Sequence, residues 1–112
     1  MKAIIYPRVS SLRQVENTSL ESQELECRKW CQNQGVTIEQ VFLEKGESAK
    51  SADRTQLRAA LAYIAARKDI DYFVVYKVDR FARQSRDFHN LICELSALGC
   101  KLISVTEPFD YE

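Results

Sequence analysis

The chain has 112 residues, which is the length of one domain. Hydrophobic residues make up 46% and charged residues 29%, a composition that is typical of a globular protein and excludes a disordered one. Acidic and basic side chains number 16 each, so any cationic binding surface must be local. The three glycines argue against a glycine-rich phosphate loop. No apolar run approaches the roughly 18 residues of a membrane span and no secretory leader is evident, so we expect a cytoplasmic protein.

The first half of the chain predicts a strand, a helix and a second strand. Residues 2–6 are a continuous apolar run rich in β-branched side chains, which indicates a buried strand. A capping box, Thr18-Ser-Leu-Glu21, starts a helix over 18–34, and Gly35 stands where a helix-ending glycine belongs. Residues 36–43 alternate well enough for a strand near the edge of a sheet.

The second half repeats this alternation after a polar loop over 44–52. Asp53 caps a second helix, and residues 70–76 give the strongest buried-strand signal in the chain. A third helix is predicted over 85–98 and a fourth strand over 101–106. The inward face predicted for the second helix is Leu57, Ala60, Leu61, Ile64 and Ala65.

Strands that alternate with helices of this length predict an α/β fold built from βαβ units. We expect a three-layer arrangement, with a mostly parallel central sheet of four or five strands flanked by helices on both faces. Right-handed crossovers should connect the strands.

Arginines and one serine follow the predicted strands, where α/β proteins place their functional groups. Arginine has a planar fork of donors that matches phosphate oxygens, and a cluster of arginines stabilises charge that develops on phosphorus. The pattern therefore predicts a phosphate-handling site. Its residues are Arg8 and Ser10 after the first strand, Arg54 after the loop of the second, and Asp79, Arg80, Arg83 and Arg86 after the third.

Simpler interpretations of these side chains stay open on spacing alone. The arginines of the third connection are also typical of a solvated surface, and Ser10 of an ordinary turn. His89 would be a base only if the start of its helix faced the site. The C-x3-C spacing and the H-x3-C spacing in the chain do not match a common structural zinc pattern. We therefore expect the cysteines to be small buried residues. The possible zinc ligands at these spacings are Cys27, Cys31, His89 and Cys93, and the remaining cysteine is Cys100.

Three blocks and a short segment after the fourth strand, in order along the whole chain, resemble the catalytic domain of serine site-specific DNA recombinases, the resolvase/invertase family. The long stretch between the first serine and the helix most resembles the large serine recombinases and integrases. The matching segments are Tyr6-Pro-Arg-Val-Ser-Ser11 with Gln14 and Ser19-Leu-Glu-Ser-Gln23, then Asp53-Arg54, then Val75 to Arg83 with Arg86-Asp87, and finally Thr106-Glu-Pro108.

The resemblance implies that Ser10 attacks the scissile phosphodiester of DNA, leaving a 5′-phosphoserine linkage and a free 3′-hydroxyl. No metal and no other cofactor is implied. The roles implied for the other residues are binding of the phosphate and its transition state by Arg8, Arg80 and Arg83, assistance by Arg54, orientation of arginines or proton handling by Asp79, and support by Gln14 and Gln23.

The implied partners are double-stranded DNA recombination sites and further copies of the protein, as a dimer and as a tetramer on DNA. Residues 1–112 would be the catalytic domain, and an assembly helix and a DNA-binding region would follow residue 112. Two other functions fit an α/β scaffold: a nucleotide- or flavin-binding module, and a non-catalytic oligomerisation domain. The glycine positions argue against the first, and the retained serine and arginines against the second.

The zero net charge predicts that the isolated 112-residue chain binds DNA weakly and recombines it little or not at all, because no overall positive charge attracts phosphates. A gel-shift titration measures this affinity. Tight sequence-specific binding would contradict the prediction.

Overall fold

The computed structural model describes residues 1–9, 20–45, 55–76 and 86–106. Strands and helices alternate through this part of the chain, as the sequence predicts. In chain order the elements are β1 (Lys2–Ile5), β2 (Arg8–Val9), α1 (Leu20–Gln34), β3 (Thr37–Val41), β4 (Glu44–Lys45), α2 (Thr55–Arg67), β5 (Tyr72–Val75), α3 (Arg86–Ala97) and β6 (Lys101–Ser104).

The central sheet of the described residues has four parallel strands in the order β3-β1-β5-β6. The predicted α/β class is therefore confirmed, and β3 lies at an edge as expected. The crossover from β1 leads to β3 on one side of it, whereas the crossovers from β3 to β5 and from β5 to β6 lead toward the other side of the sheet. The order of the strands thus reverses between β1 and β5, which makes the gap beyond their carboxyl ends the topological switch point.

Alternate side chains of β1 enter two separate cores, because successive residues of a strand point to opposite faces. Ala3 and Ile5 pack with Cys27 and Cys31 of α1, whereas Ile4 packs against α2 and α3. The helices therefore cover both faces of the sheet, and the predicted three layers are confirmed.

Helix α2 buries a slightly different face from the predicted one. Ala60 and Ile64 are buried as expected, but Ala65 is exposed. Tyr63 packs into this core instead, with its ring centroid 5.8 Å from that of Phe42. An aromatic ring removes far more apolar area from water than a methyl group, so it decides which side of the helix faces the sheet.

Glycines end two of the helices as predicted. Gly35 after α1 and Gly99 after α3 have φ angles of 71° and 77°, in the left-handed region that glycine enters without strain. Cys27, Cys31 and Cys100 are buried, but Cys93 is exposed, so the expectation of a buried residue is wrong there. Cys93 lies on the outer side of α3, whose inner side is filled by larger apolar residues, chiefly Phe88 and Leu95.

A second, two-stranded sheet was not predicted. Arg8 and Val9 of β2 pair in parallel with Glu44 and Lys45 of β4, which lies within the predicted loop 44–52. Strands of two residues are too short to show a hydrophobic period, so the sequence carries no signal for them. The predicted helix caps, Thr18 and Asp53, lie outside the described residues.

An ion-pair network ties the elements together at the amino edge of the sheet. The Lys2 ammonium lies 2.9 Å from an Asp69 carboxylate oxygen, and Arg67 lies 3.3 Å from the same oxygen and 3.4 Å from Glu39. Arg67 also donates to the Tyr63 hydroxyl at 2.7 Å. The network joins the first strand, the end of α2, β3 and the turn before β5, at the end of the sheet remote from the predicted site.

We predict that Asp69→Asn lowers the melting temperature near pH 7 by roughly 1–5 °C, because it removes the shared anion of a partly exposed network. The hydrogen bond from Lys2, with help from Arg67, lowers the pKa of Asp69 below its usual value. A lowered carboxyl pKa adds stability above the unfolded-state pKa, and that stability is lost as the pH falls through the folded-state value. The difference between the two proteins should therefore vanish in acid.

Thermal unfolding followed by circular dichroism across pH measures this difference. Glu94→Gln is the matched control, since Glu94 is an exposed carboxylate of α3 that takes part in no ion pair within the described segments. A melting-temperature loss for Asp69→Asn that is independent of pH would contradict the electrostatic account.

Candidate active site

Backbone hydrogen bonds continue across the central strands beyond the regular sheet. The Tyr6 amide donates to the Val74 carbonyl at 2.9 Å, which fastens the exit of β1 to β5. On the other side of β1, the Phe42 amide donates to the Ile5 carbonyl at 2.8 Å. The backbone that leads out of β1 toward residue 10 therefore starts from a position fixed on both sides.

The exit of β5 is held in the same way by the exit of β6. The Val105 amide donates to the Val75 carbonyl at 3.0 Å, and the Thr106 amide donates to the Tyr76 carbonyl at 3.2 Å. The Thr106 hydroxyl donates to that same Tyr76 oxygen at 2.9 Å. Three hydrogen bonds thus fasten Val75 and Tyr76, at the exit of β5, to the two residues that follow β6.

The exits of β1 and β5 lie side by side at the topological switch point. β1 and β5 are neighbours in register, with Ile5 opposite Val74. The segment after β1 carries Arg8 and Ser10, and the segment after β5 carries Asp79, Arg80 and Arg83. The two predicted groups of site residues therefore leave the sheet from adjacent strands.

The structure places only part of the predicted site. The backbone of Arg8 lies in β2 and pairs with Glu44. Gln23 and Arg86 are described as well, at the starts of α1 and α3. The predicted site residues outside the described segments are Ser10, Gln14, Arg54, Asp79, Arg80 and Arg83.

Gln23 is a buried polar residue, with 7% of its surface exposed. It lies in the first turn of α1, and α1 contacts β2, the strand that ends one residue before Ser10. A buried amide needs hydrogen-bond partners and resists rotation once it has them. This position suits the supporting role that the family resemblance implies for Gln23.

The start of α2 is linked to the same edge through the small second sheet. Arg54 directly precedes α2, α2 contacts β4, and β4 pairs with β2, which carries Arg8. A helix in a βαβ crossover begins at the carboxyl end of the preceding strand. The segment carrying Arg54 therefore joins the structure on the side of the sheet where β1 and β5 end.

The zinc alternative is excluded by the layers of the fold. Cys27 and Cys31 are buried between α1 and one face of the sheet, whereas His89 and Cys93 are exposed on α3 at the other face. Burial raises the pKa of Cys27 to about 12, which keeps its thiol protonated and inert. The exposed position of His89 is that of an ordinary helix residue.

Residues 3–112 match the family described as "Resolvase, N terminal domain". The chain belongs to this family. It is the catalytic domain of a serine site-specific recombinase, and this membership implies a DNA substrate. The nucleotide- or flavin-binding module and the non-catalytic domain are thereby rejected, and the expected family is confirmed.

Solved structures of similar proteins share the fold of this recombinase domain. The N-terminal catalytic domain of TP901-1 integrase is 28% identical, with a TM-score of 0.83 over 98% of this chain and 82% of that one. A resolvase family site-specific recombinase from Streptococcus pneumoniae is 29% identical, with a TM-score of 0.81 over 98% and 75%. The C-terminal catalytic domain of ISC1926 TnpA, an IS607-like serine recombinase, is 25% identical, with a TM-score of 0.75 over 94% and 70%.

Comparison with curated proteins gives no match. Within the described part of the recombinase domain, no helix has the length and apolar character needed to cross a membrane.

Proposed function

We propose that this domain cleaves and rejoins DNA with Ser10 as the nucleophile. The observation that carries the proposal is the fastening of β1 to β5 at the topological switch point, through the 2.9 Å bond from the Tyr6 amide to the Val74 carbonyl. The segments that carry Ser10 and the arginine pair Arg80 and Arg83 start from these two strands. A phosphate bound beyond this edge would meet residues from both segments.

The proposed reaction is a transesterification at phosphorus. The Ser10 hydroxyl oxygen forms a bond to the scissile phosphorus, and the bond from phosphorus to the 3′-oxygen of DNA breaks. The serine proton leaves as the new bond forms, and the 3′-oxygen takes up a proton to become a free hydroxyl. One phosphodiester replaces another, so rejoining is the same reaction run backwards with a new 3′-hydroxyl, and no external energy source is needed.

Arginines supply the charge that this step requires. In the transition state, negative charge spreads over the oxygens around phosphorus, and preorganised cations placed there lower the barrier. Arg8, Arg80 and Arg83 are proposed to bind these oxygens, with Arg54 assisting from the segment before α2. A guanidinium remains charged at any physiological pH and forms paired hydrogen bonds to phosphate, so it suits this role better than lysine.

The remaining residues are proposed to orient the arginines and the nucleophile. Asp79 stands next to Arg80 in the sequence, so its carboxylate can hold a guanidinium in place or handle a proton. Gln23, buried on a helix that contacts β2, supports the backbone that leads to Ser10. Gln14 is proposed to act from the same segment as Ser10.

The proposed partners are double-stranded recombination sites and other copies of the protein. Two sites must be brought together for strands to be exchanged, so we propose a dimer on each site and a tetramer during exchange. Residues 1–112 would act as the catalytic domain of that assembly. A similar recombinase comes from the bacterium Streptococcus pneumoniae, and a bacterial or mobile-element origin of this protein would place it in the cytoplasm, which is the proposed location.

We predict that Ser10→Ala abolishes the covalent protein–DNA adduct, because alanine has no oxygen to attack phosphorus. The complete recombinase, with the assembly helix and the DNA-binding region expected after residue 112, is incubated with a library of randomised DNA duplexes and denatured, and DNA that stays attached to the protein is sequenced. The unaltered protein should retain DNA through Ser10 and release strands with 3′-hydroxyl ends that terminal transferase can extend.

Ser11→Ala is the matched control, because it removes a neighbouring hydroxyl from the same segment. This variant should keep the adduct, and mass spectrometry of the wild-type peptide should place the nucleotide on Ser10. An adduct that survives Ser10→Ala, or that is lost only in Ser11→Ala, would show that the nucleophile is assigned to the wrong residue.

A further inference from the structure

Thr106 makes an unusual double contact at the site edge. Its amide and its hydroxyl both donate to the carbonyl oxygen of Tyr76, at 3.2 and 2.9 Å. Thr106 lies beyond the end of β6, and Tyr76 lies beyond the end of β5. The pair therefore extends the contact between these strands past the regular sheet.

The shared acceptor controls the direction of the chain that follows. A peptide unit is planar, so fixing the Tyr76 oxygen also fixes the plane that contains the next amide nitrogen. A carbonyl oxygen has two lone pairs, and one donor on each prevents rotation that a single donor would allow. Two donors from Thr106 thus set the direction in which the backbone departs from Tyr76.

That backbone leads directly to the proposed phosphate-binding arginines. Arg80 and Arg83 stand four and seven residues beyond Tyr76 in the sequence. A rotation of the Tyr76 peptide plane would change the direction from which the chain continues toward both arginines. A misplacement of about 1 Å is enough to slow an enzyme by roughly a hundredfold.

We propose that Thr106 is a positioning residue for DNA cleavage, acting through the Tyr76 carbonyl on Arg80 and Arg83. The inference rests on the proposed function of these arginines. It assigns to the Thr106 hydroxyl a role in the rate of the covalent step rather than in the binding of DNA.

The test compares Thr106→Val, which removes the hydroxyl and keeps the branched shape, with Thr106→Ser, which retains the hydroxyl. The probe is the DNA duplex most enriched on the unaltered protein in the Ser10 trapping experiment. The rate of adduct formation is measured across DNA concentrations. Thr37→Val is the matched control, because Thr37 is an exposed strand threonine at the opposite edge of the sheet.

Thr106→Val should slow adduct formation at saturating DNA by roughly tenfold, between the loss of one net hydrogen bond and a full 1 Å misplacement. The DNA concentration that gives half the maximal rate should not change. Thr106→Ser and Thr37→Val should react within about twofold of the unaltered protein. If Thr106→Val proves too unstable to measure, Thr106→Ala must show the same slowing.

Several results would overturn the inference. Thr106→Val could react as fast as the unaltered protein, or Thr106→Ser could be equally slow, which would assign the effect to shape. A slowing that appears only as weaker DNA binding would make Thr106 a DNA contact. Ser10→Ala run in parallel separates the two proposals, because an adduct in that variant defeats the nucleophile assignment whatever Thr106 does.

Discussion

The pairing of β1 with β5 is the contact on which the rest of the structure depends. It joins the first strand of the chain to the third strand of the central sheet, and it sets the point where the strand order reverses. Both strands are buried on both faces, so neither can slip without moving residues between the two cores. The segments that carry Ser10 and the arginine pair Arg80 and Arg83 follow these two neighbouring strands in the chain.

The amino and carboxyl ends of the strands are held by different kinds of contact. At the amino edge, Lys2, Arg67 and Asp69 join four elements through side-chain contacts. At the carboxyl edge, backbone amides of Tyr6, Phe42, Val105 and Thr106 bind the neighbouring strands. The segments of the proposed site follow the strands at this edge. Backbone hydrogen bonds therefore fix the strand ends from which the proposed site departs.

The sequence predicted the elements well where the hydrophobic period was long. It failed where another effect decided the outcome: Tyr63 replaced Ala65 in the core because its ring buries more area, and Cys93 faces water because larger residues fill the inner side of α3. The pairing of β2 with β4 could not be predicted, because strands of two residues are too short to show a hydrophobic period. The family was evident from three sequence motifs that contain the predicted site residues. The hydrogen bond from Thr106 to Tyr76 depends on tertiary structure and could not be predicted from sequence spacing.

The proposed function requires that Ser10 and the arginines, which follow β1 and β5, meet at one phosphate. A crystal structure of the recombinase grown in sulfate tests it most directly, because sulfate has the shape and charge of the reacting phosphate. We expect one sulfate ion within hydrogen-bond distance of the Ser10 hydroxyl and of the guanidinium groups of Arg8, Arg80 and Arg83. Ordered arginines that point away from Ser10, with no anion shared between them, would contradict it.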